Sequence, residues 1–241
     1  MSAEISASRL KNYLADNLAR IQERIQNASR GSAGFEQPVK LIAVSKKQPV
    51  SKILTLAELG HLDFGENYVQ EALTKIKEPG LADVNWHFIG GLQTNKARQV
   101  AGTFSMVHSV DSSRLAQALH KKAESLGIVQ PVLIQVNLAG EVQKSGIDPD
   151  RLQLLARKIA GMKNLNLQGL MLMPPFADDP EHSRPYFQQL RRIKNRLEKD
   201  LGLALPHLSM GMSMDFEVAV QEGATMVRVG SKLFGPRMNC A

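Results

Sequence analysis

The chain has 241 residues and a single cysteine, Cys240, next to its last residue. One cysteine excludes a disulfide within the chain, so nothing in the sequence asks for an oxidising compartment. Aromatic residues make up only 5%, and no basic stretch is interleaved with them. That argues against a stacking platform for nucleic acid. Long apolar runs are missing too, and the N-terminus alternates charged with apolar residues (Glu4, Arg9, Lys11, Asp16, Arg20). It reads as neither a signal peptide nor a membrane span, so a cytoplasmic protein without a membrane partner is expected. The six histidines (residues 61, 87, 108, 120, 182 and 207) have no H-E-x-x-H or C-x-x-C companion spacing, and no metal is expected. His87 reads as a packing or hydrogen-bonding residue near the core. There is no P-loop and no dinucleotide fingerprint. "GMSMD" lacks the last glycine of a nucleophile elbow, which speaks against a serine hydrolase.

What is present is a 43% hydrophobic content and a net charge of +7. The densest basic segment is "RPYFQQLRRIKNRLEK". Phe187, Leu190, Ile193, Leu197 and Leu201 recur in and just after it at helical spacing. It reads as an amphipathic helix whose cations form the solvated face, and no nucleic-acid partner is expected.

Strand-like and helical patterns alternate along the chain. A first helix is expected over 8–27, with Leu10, Leu14, Leu18, Ile21 and Ile25 on one face, followed by the loop "RGSAGFEQP". Strands are expected near 40–45, 61–65, 84–90, 106–110, 131–137, 166–173, 207–211 and 226–230. Helices are expected near 50–59, 66–77, 93–101, 112–126, 149–161, 182–201 and 214–222. Strands separated by helices imply a parallel sheet, because a parallel crossover needs about a dozen residues. Eight of them in a chain of this length fit a closed (β/α)8 TIM-type barrel with an extra N-terminal helix. The rival, an open doubly wound sheet, would place glycines after the first strand, where this chain has "SKKQP". One domain over 1–241 is expected, with "PPFADDPEHSRP" as a loop over the active face.

Barrels place function at the C-terminal ends of their strands. The first strand, "KLIAV", ends at Ser45-Lys46-Lys47. A lysine there is ordinarily a solvated charge. If strand geometry continued, Lys47 would point away from Lys46. The last two strands end in Gly211…Ser213 and Gly230-Ser231, each leading into a helix. Loops after strands 7 and 8 are the usual phosphate grip of this fold. Glycine admits close backbone approach, serine adds a donor, and a helix start offers N–H groups. Each serine alone also reads as a helix cap. A lysine facing a phosphate grip suggests an amine that condenses with a carbonyl, its pKa lowered by desolvation or by charge from Lys47 or Arg228. A phosphorylated aldehyde, pyridoxal 5′-phosphate, fits both features; a Schiff-base aldolase acting on a sugar phosphate is the rival.

The blocks "AVSKKQP", "FGENYVQE", "WHFIGGLQTNK", "LMLMPP", "LSMGMSMDFEVAV" and "VRVGSKLFGPR", in this order, resemble the pyridoxal phosphate homeostasis protein family. The resemblance runs from about residue 8 to 237. It implies the alanine racemase N-terminal-domain-like barrel (PLP fold type III) and pyridoxal 5′-phosphate held as a Schiff base. It further implies a role in vitamin B6 and amino-acid homeostasis without established turnover. By position it carries the Schiff-base lysine onto Lys46, the phosphate-binding residues onto Ser213, Gly230 and Ser231, and a site-lining residue onto Asn67. Arg228 falls where the family's arginine faces the pyridine nitrogen. Three positions depart from the family pattern: Gln48 where a second lysine is common, Gly91 where histidine or proline is common, and Thr94 for serine. Gln48 puts a lysine-to-lysine transfer of the cofactor in doubt. An arginine cannot accept the ring nitrogen's proton, so the ring would be a poor electron sink. A carrier that passes the cofactor to PLP-dependent apo-enzymes is therefore expected. A weak PLP-dependent racemase or lyase is the alternative. The chain is expected to be a monomer, because the racemase dimer depends on a second β domain for which it has no room.

Overall fold

The computed structural model describes residues 2–30, 38–141 and 145–236. Residues 31–37, most of the expected first loop, and Cys240 lie outside that set. Eight parallel strands close into a barrel in sequential order: β1 (Lys40–Val44), β2 (Asp63–Glu66), β3 (Asn85–Phe88), β4 (Met106–Val110), β5 (Gln130–Val136), β6 (Leu165–Leu172), β7 (His207–Ser209) and β8 (Met226–Val229). The barrel closes by pairing β1 with β8, with Ile42 opposite Arg228 and Ala43 opposite Val229. The expected (β/α)8 architecture is therefore what the chain adopts, with α1 (Ser2–Arg30) added before the first strand.

The helices around the barrel are α2 (Val50–Glu58), α3 (Val69–Lys75), α4 (Ala97–Val100), α5 (Ser113–Ser125), α6 (Pro149–Ala160), α7 (Arg184–Leu201), α8 (Phe216–Gln221) and α9 (Ser231–Phe234). Local chemistry sets their limits. Ser112 caps α5 by accepting from the Leu115 N–H, and Asp148 caps α6 ahead of Pro149. Gly202, in the left-handed region, stops α7.

The differences from the expected boundaries have specific causes. The strand expected from 61 begins at 63, because the His61 N–H returns to the Leu56 carbonyl at 3.0 Å and closes the end of α2. The helix expected over 93–101 is a 3-10 turn, Thr94–Lys96, followed by the single turn of α4. The expected 182–201 helix likewise starts as a 3-10 turn at Pro180–Ser183.

Strand alternation sorts the side chains into two cores. Leu41 and Ala43 face outward into the large core shared with the helices, while Ile42 faces the lumen with Met106, Leu133, Met171 and Met226. The helix α1 buries Leu14, Leu18, Ile21 and Ile25. It is tied to the end of the barrel by Asn17, whose side-chain amide donates to the Leu233 carbonyl at 3.0 Å. Arg24 forms a two-pronged pair with Glu217 on α8.

Candidate functional site

β1 ends at Val44, where the chain turns sharply. The Gln48 N–H donates to the Ser45 carbonyl at 3.0 Å, leaving Lys46 and Lys47 as the two central residues of the turn. Lys47 sits at φ 57, the left-handed region that favours glycine. Strand alternation therefore does not reach this pair; the turn places them instead. Lys46 is half-buried and Lys47 exposed.

One buried ammonium organises this turn. Lys75 Nζ donates to the Ser45 carbonyl at 2.7 Å, to Glu66 Oε1 at 2.7 Å and to Glu71 Oε1 at 2.6 Å. Ser45 Oγ donates to the same Glu66 oxygen at 2.6 Å, and the Lys47 N–H donates to Glu71 Oε1 at 2.5 Å. The residues before and after Lys46 are thus pinned to one cluster. Burial raises the Glu66 pKa, while Lys75 and the Ser45 hydroxyl pull it down. Gln48 belongs to the scaffold: it is buried and accepts from Lys52 Nζ, which also donates to the Phe234 carbonyl.

The residues expected to grip an anion come together between the last two strands. Gly211, at φ 88, turns the chain after β7, and the Met212 N–H bonds to Asp215 Oδ1 at 2.7 Å. Ser213 Oγ then lies 3.3 Å from the Gly230 N–H and 3.4 Å from Ser231 Oγ, so two hydroxyls and a backbone donor meet between adjacent strand ends. Across the β1–β8 seam, a Cβ on Gly230 would stand 3.4 Å from the Val44 carbonyl oxygen. The Lys46 turn therefore adjoins the grip.

Arg228 is 3% exposed and points into the lumen below the grip. Its Nη1 donates to Ser209 Oγ at 2.6 Å and its Nη2 to the Leu172 carbonyl at 2.8 Å. Burial lowers its pKa to about 10, with the charge of Asp215 opposing that, so it is a cation at neutral pH. Asn67 stands at the end of β2 with its Oδ1 buried and without a hydrogen-bond partner among the described residues. Gly90 makes room beside it: a Cβ there would fall 2.2 Å from the Asn67 carbonyl oxygen.

All six expected residues (Lys46, Asn67, Ser213, Arg228, Gly230 and Ser231) thus lie on one arc of consecutive strand ends, β7-β8-β1-β2. Sequence reasoning did not find Lys75 or Glu71, which sit on a helix and reach the site only through the fold. It also missed Ser209 as the partner of Arg228, and His108, which lies beyond Ser209. Their lumen-facing parity on β7 and β4 was the available signal. His87, read as a hydrogen-bonding residue, does bond inside the barrel, to His108 and Asp63. At Gly91, a Cβ would come within 2.9 Å of Ser145 Oγ, so a larger residue there requires the Ser145 side chain to shift. On α7, Arg184, Arg191, Lys194 and Arg196 pair with Glu181, Glu222, Glu198 and Asp200, which neutralises much of that basic segment.

A barrel with a lysine turn after its first strand and a serine–glycine cluster after its last two defines a class. The alanine racemase N-terminal domain model matches residues 16–238. Within that class, the pyridoxal phosphate homeostasis protein of Aquifex aeolicus is 44% identical, the match covering 92% of this chain and 97% of the relative. Its namesake from Pseudomonas aeruginosa is 42% identical over 93% of this chain and 96% of the relative. Among solved structures, PipY of Synechococcus elongatus, determined with PLP bound, is 37% identical with a TM-score of 0.82, covering 92% of this chain and all of that one. The chain belongs to the pyridoxal phosphate homeostasis protein family. Among the described residues, no helix is long and apolar enough to cross a membrane.

Proposed function

We propose that this protein binds pyridoxal 5′-phosphate through Lys46 and serves vitamin B6 homeostasis as a holder and donor of the cofactor. The supporting observation is the adjacency of the Lys46 turn, the Ser213–Gly230–Ser231 grip and the buried Arg228 on consecutive strand ends. The unpartnered Asn67 Oδ1 in the same arc fits a site that a polar ligand completes. When bound, the cofactor supplies an aldehyde that condenses with a primary amine with loss of water. Lys46 provides that amine. Ser213, Ser231 and the Gly230 N–H donate to the phosphate, and Asn67 lines the rim. Arg228 faces the pyridine nitrogen. Being itself charged, it cannot take up or share that nitrogen's proton, and it disfavours protonation there. The ring is then a weak electron sink, which suits storage and transfer better than turnover. The whole chain acts as one barrel domain, a cytoplasmic monomer that passes the cofactor to PLP-dependent apo-enzymes and engages neither nucleic acid nor membrane.

The test is borohydride reduction of the loaded protein followed by peptide mapping. The pyridoxyl label is expected on Lys46; Lys46→Ala abolishes the visible absorbance of the Schiff base, and Lys47→Ala only weakens it. A label on Lys47 refutes the assignment. The second reading, a weak racemase or lyase, is checked by deuterium uptake at the Cα of alanine. Exchange at about 1 s⁻¹ or faster in the parent protein would establish turnover instead.

A further inference from the structure

The lumen of a barrel of this kind is ordinarily filled by layers of branched apolar side chains. Here a line of polar groups crosses it. Arg228 Nη1 lies 2.6 Å from Ser209 Oγ, and Ser209 Oγ lies 2.9 Å from His108 Nδ1. His108 Nε2 lies 3.1 Å from His87 Nδ1, and His87 Nε2 lies 3.0 Å from Asp63 Oδ1. Lys40 Nζ closes the far end on the same carboxylate oxygen at 2.9 Å. Ser209, His87, His108 and Arg228 are all buried, and His108 is wholly so. Burying this much polarity is costly unless every group is satisfied, so the arrangement calls for a reason.

With both rings neutral, the two ends dictate the direction of every proton. Arginine has donors and no acceptor, so Ser209 Oγ accepts from Arg228. The single serine hydrogen is then left for His108, whose Nδ1 must accept. That places the His108 proton on Nε2, donating to His87 Nδ1. The His87 proton is in turn on Nε2, donating to the Asp63 carboxylate, which can only accept. With both rings neutral, no reversed arrangement satisfies both ends.

We propose that Asp63, His87, His108 and Ser209 are positioning residues for Arg228, forming a one-way donor chain that holds its guanidinium at the cofactor's ring nitrogen. The chain lets a buried cation meet the ligand on one side while the carboxylate that ends its hydrogen bonds, itself paired with Lys40, stands four hydrogen bonds away. A carboxylate in direct contact would compete with the ring nitrogen for the guanidinium N–H groups. In this chain each ring carries one proton, on Nε2. The coupling to the cofactor rests on the placement of Arg228 under Proposed function; the order of the chain itself does not.

Nitrogen-15 NMR of the histidine-labelled, cofactor-free protein near neutral pH reads the chain directly. Both His87 and His108 are expected as neutral Nε2–H tautomers in the parent. Ser209→Ala removes the donor to His108 and should mix its tautomers. Asp63→Asn should mix those of His87. With pyridoxal 5′-phosphate added, both variants should shift the visible band and lower affinity about three- to ten-fold, the scale of one lost hydrogen bond. Arg228→Lys should do at least as much. A charged or Nδ1–H histidine in the parent overturns the chain. Mixed tautomers in the variants with band and affinity unmoved, while Arg228→Lys moves them, overturn the coupling. If Arg228→Lys itself changes neither, the placement of Arg228 at the ring nitrogen fails, and the coupling fails with it. The tautomers would still report whether the chain exists. Should Asp63→Asn not fold, Ser209→Ala alone decides both points.

Discussion

Replacing Lys75 by methionine separates the support of the Lys46 turn from its chemistry. Lys75 is 5% exposed and Glu66 0%, so the ammonium and carboxylate meet out of water, 2.7 Å apart. Methionine keeps the length of the side chain and removes three donors, to the Ser45 carbonyl, Glu66 and Glu71. Removing one partner of a buried pair strands the other and costs about 3–5 kcal/mol. For a chain of this size that is a fall in melting temperature of roughly 10 °C. The loss also carries a pH signature. Burial already raises Glu66 in the folded state, and Lys75 is the largest influence opposing it. Without Lys75 the folded value rises further above the unfolded one. Below the unfolded value the carboxyl is protonated in both states and contributes nothing. Between the two values the folded state binds more protons, so stability declines as pH rises. The deficit of the variant should therefore be larger at pH 8 than at pH 5 in urea denaturation. Adding Glu66→Gln should recover roughly half of it, since the stranded charge is gone. The loosened turn should also take up less pyridoxyl label at Lys46. A deficit under about 1 kcal/mol, or one that is the same at both pH values, refutes the view that a buried ammonium holds this turn.

The acid limb of the parent's stability should report Asp63. His87 and Lys40 hydrogen-bond its carboxylate and, against burial, hold its pKa down at about 2, so the stabilisation is present above the usual aspartate value and is lost as pH falls through about 2. Acid titration followed by circular dichroism should show roughly 2 kcal/mol of acid-dependent stability that Asp63→Asn lacks. Gly90→Ala forces a Cβ to within 2.2 Å of the Asn67 carbonyl oxygen and should cost about 1–3 kcal/mol in urea unfolding, with a matching loss of cofactor affinity. Arg24→Ala removes the partly exposed pair with Glu217 and the stacking over Phe216, and should cost only about 1 kcal/mol, with the visible absorbance of the loaded protein unchanged.

The sequence alone determined the class of fold and the places where chemistry gathers. Alternation of strand and helix at crossover spacing requires a parallel sheet, and the strand count closes it into a barrel. A barrel in turn makes strand ends the relevant positions, which singles out Lys46, Ser213, Gly230 and Ser231 in a linear reading, while Asn67 and the ring-facing role of Arg228 came from the family resemblance. Boundaries were less legible, because hydrogen bonds such as that from His61 to Leu56 assign residues to a helix end whatever their strand propensity. What surrounds each site residue follows from packing across the closed barrel. Lys75 lies on α3, with nothing in its local sequence to set it apart from the other lysines; the fold buries it between Ser45, Glu66 and Glu71. Asp63, His87, His108 and Ser209 come from four strands up to 146 residues apart, 63 to 209. They form a single line only because the barrel closes and turns one face of each strand inward. Contacts across a lumen depend on strand order, register and curvature together, and no local pattern of residues encodes the three at once.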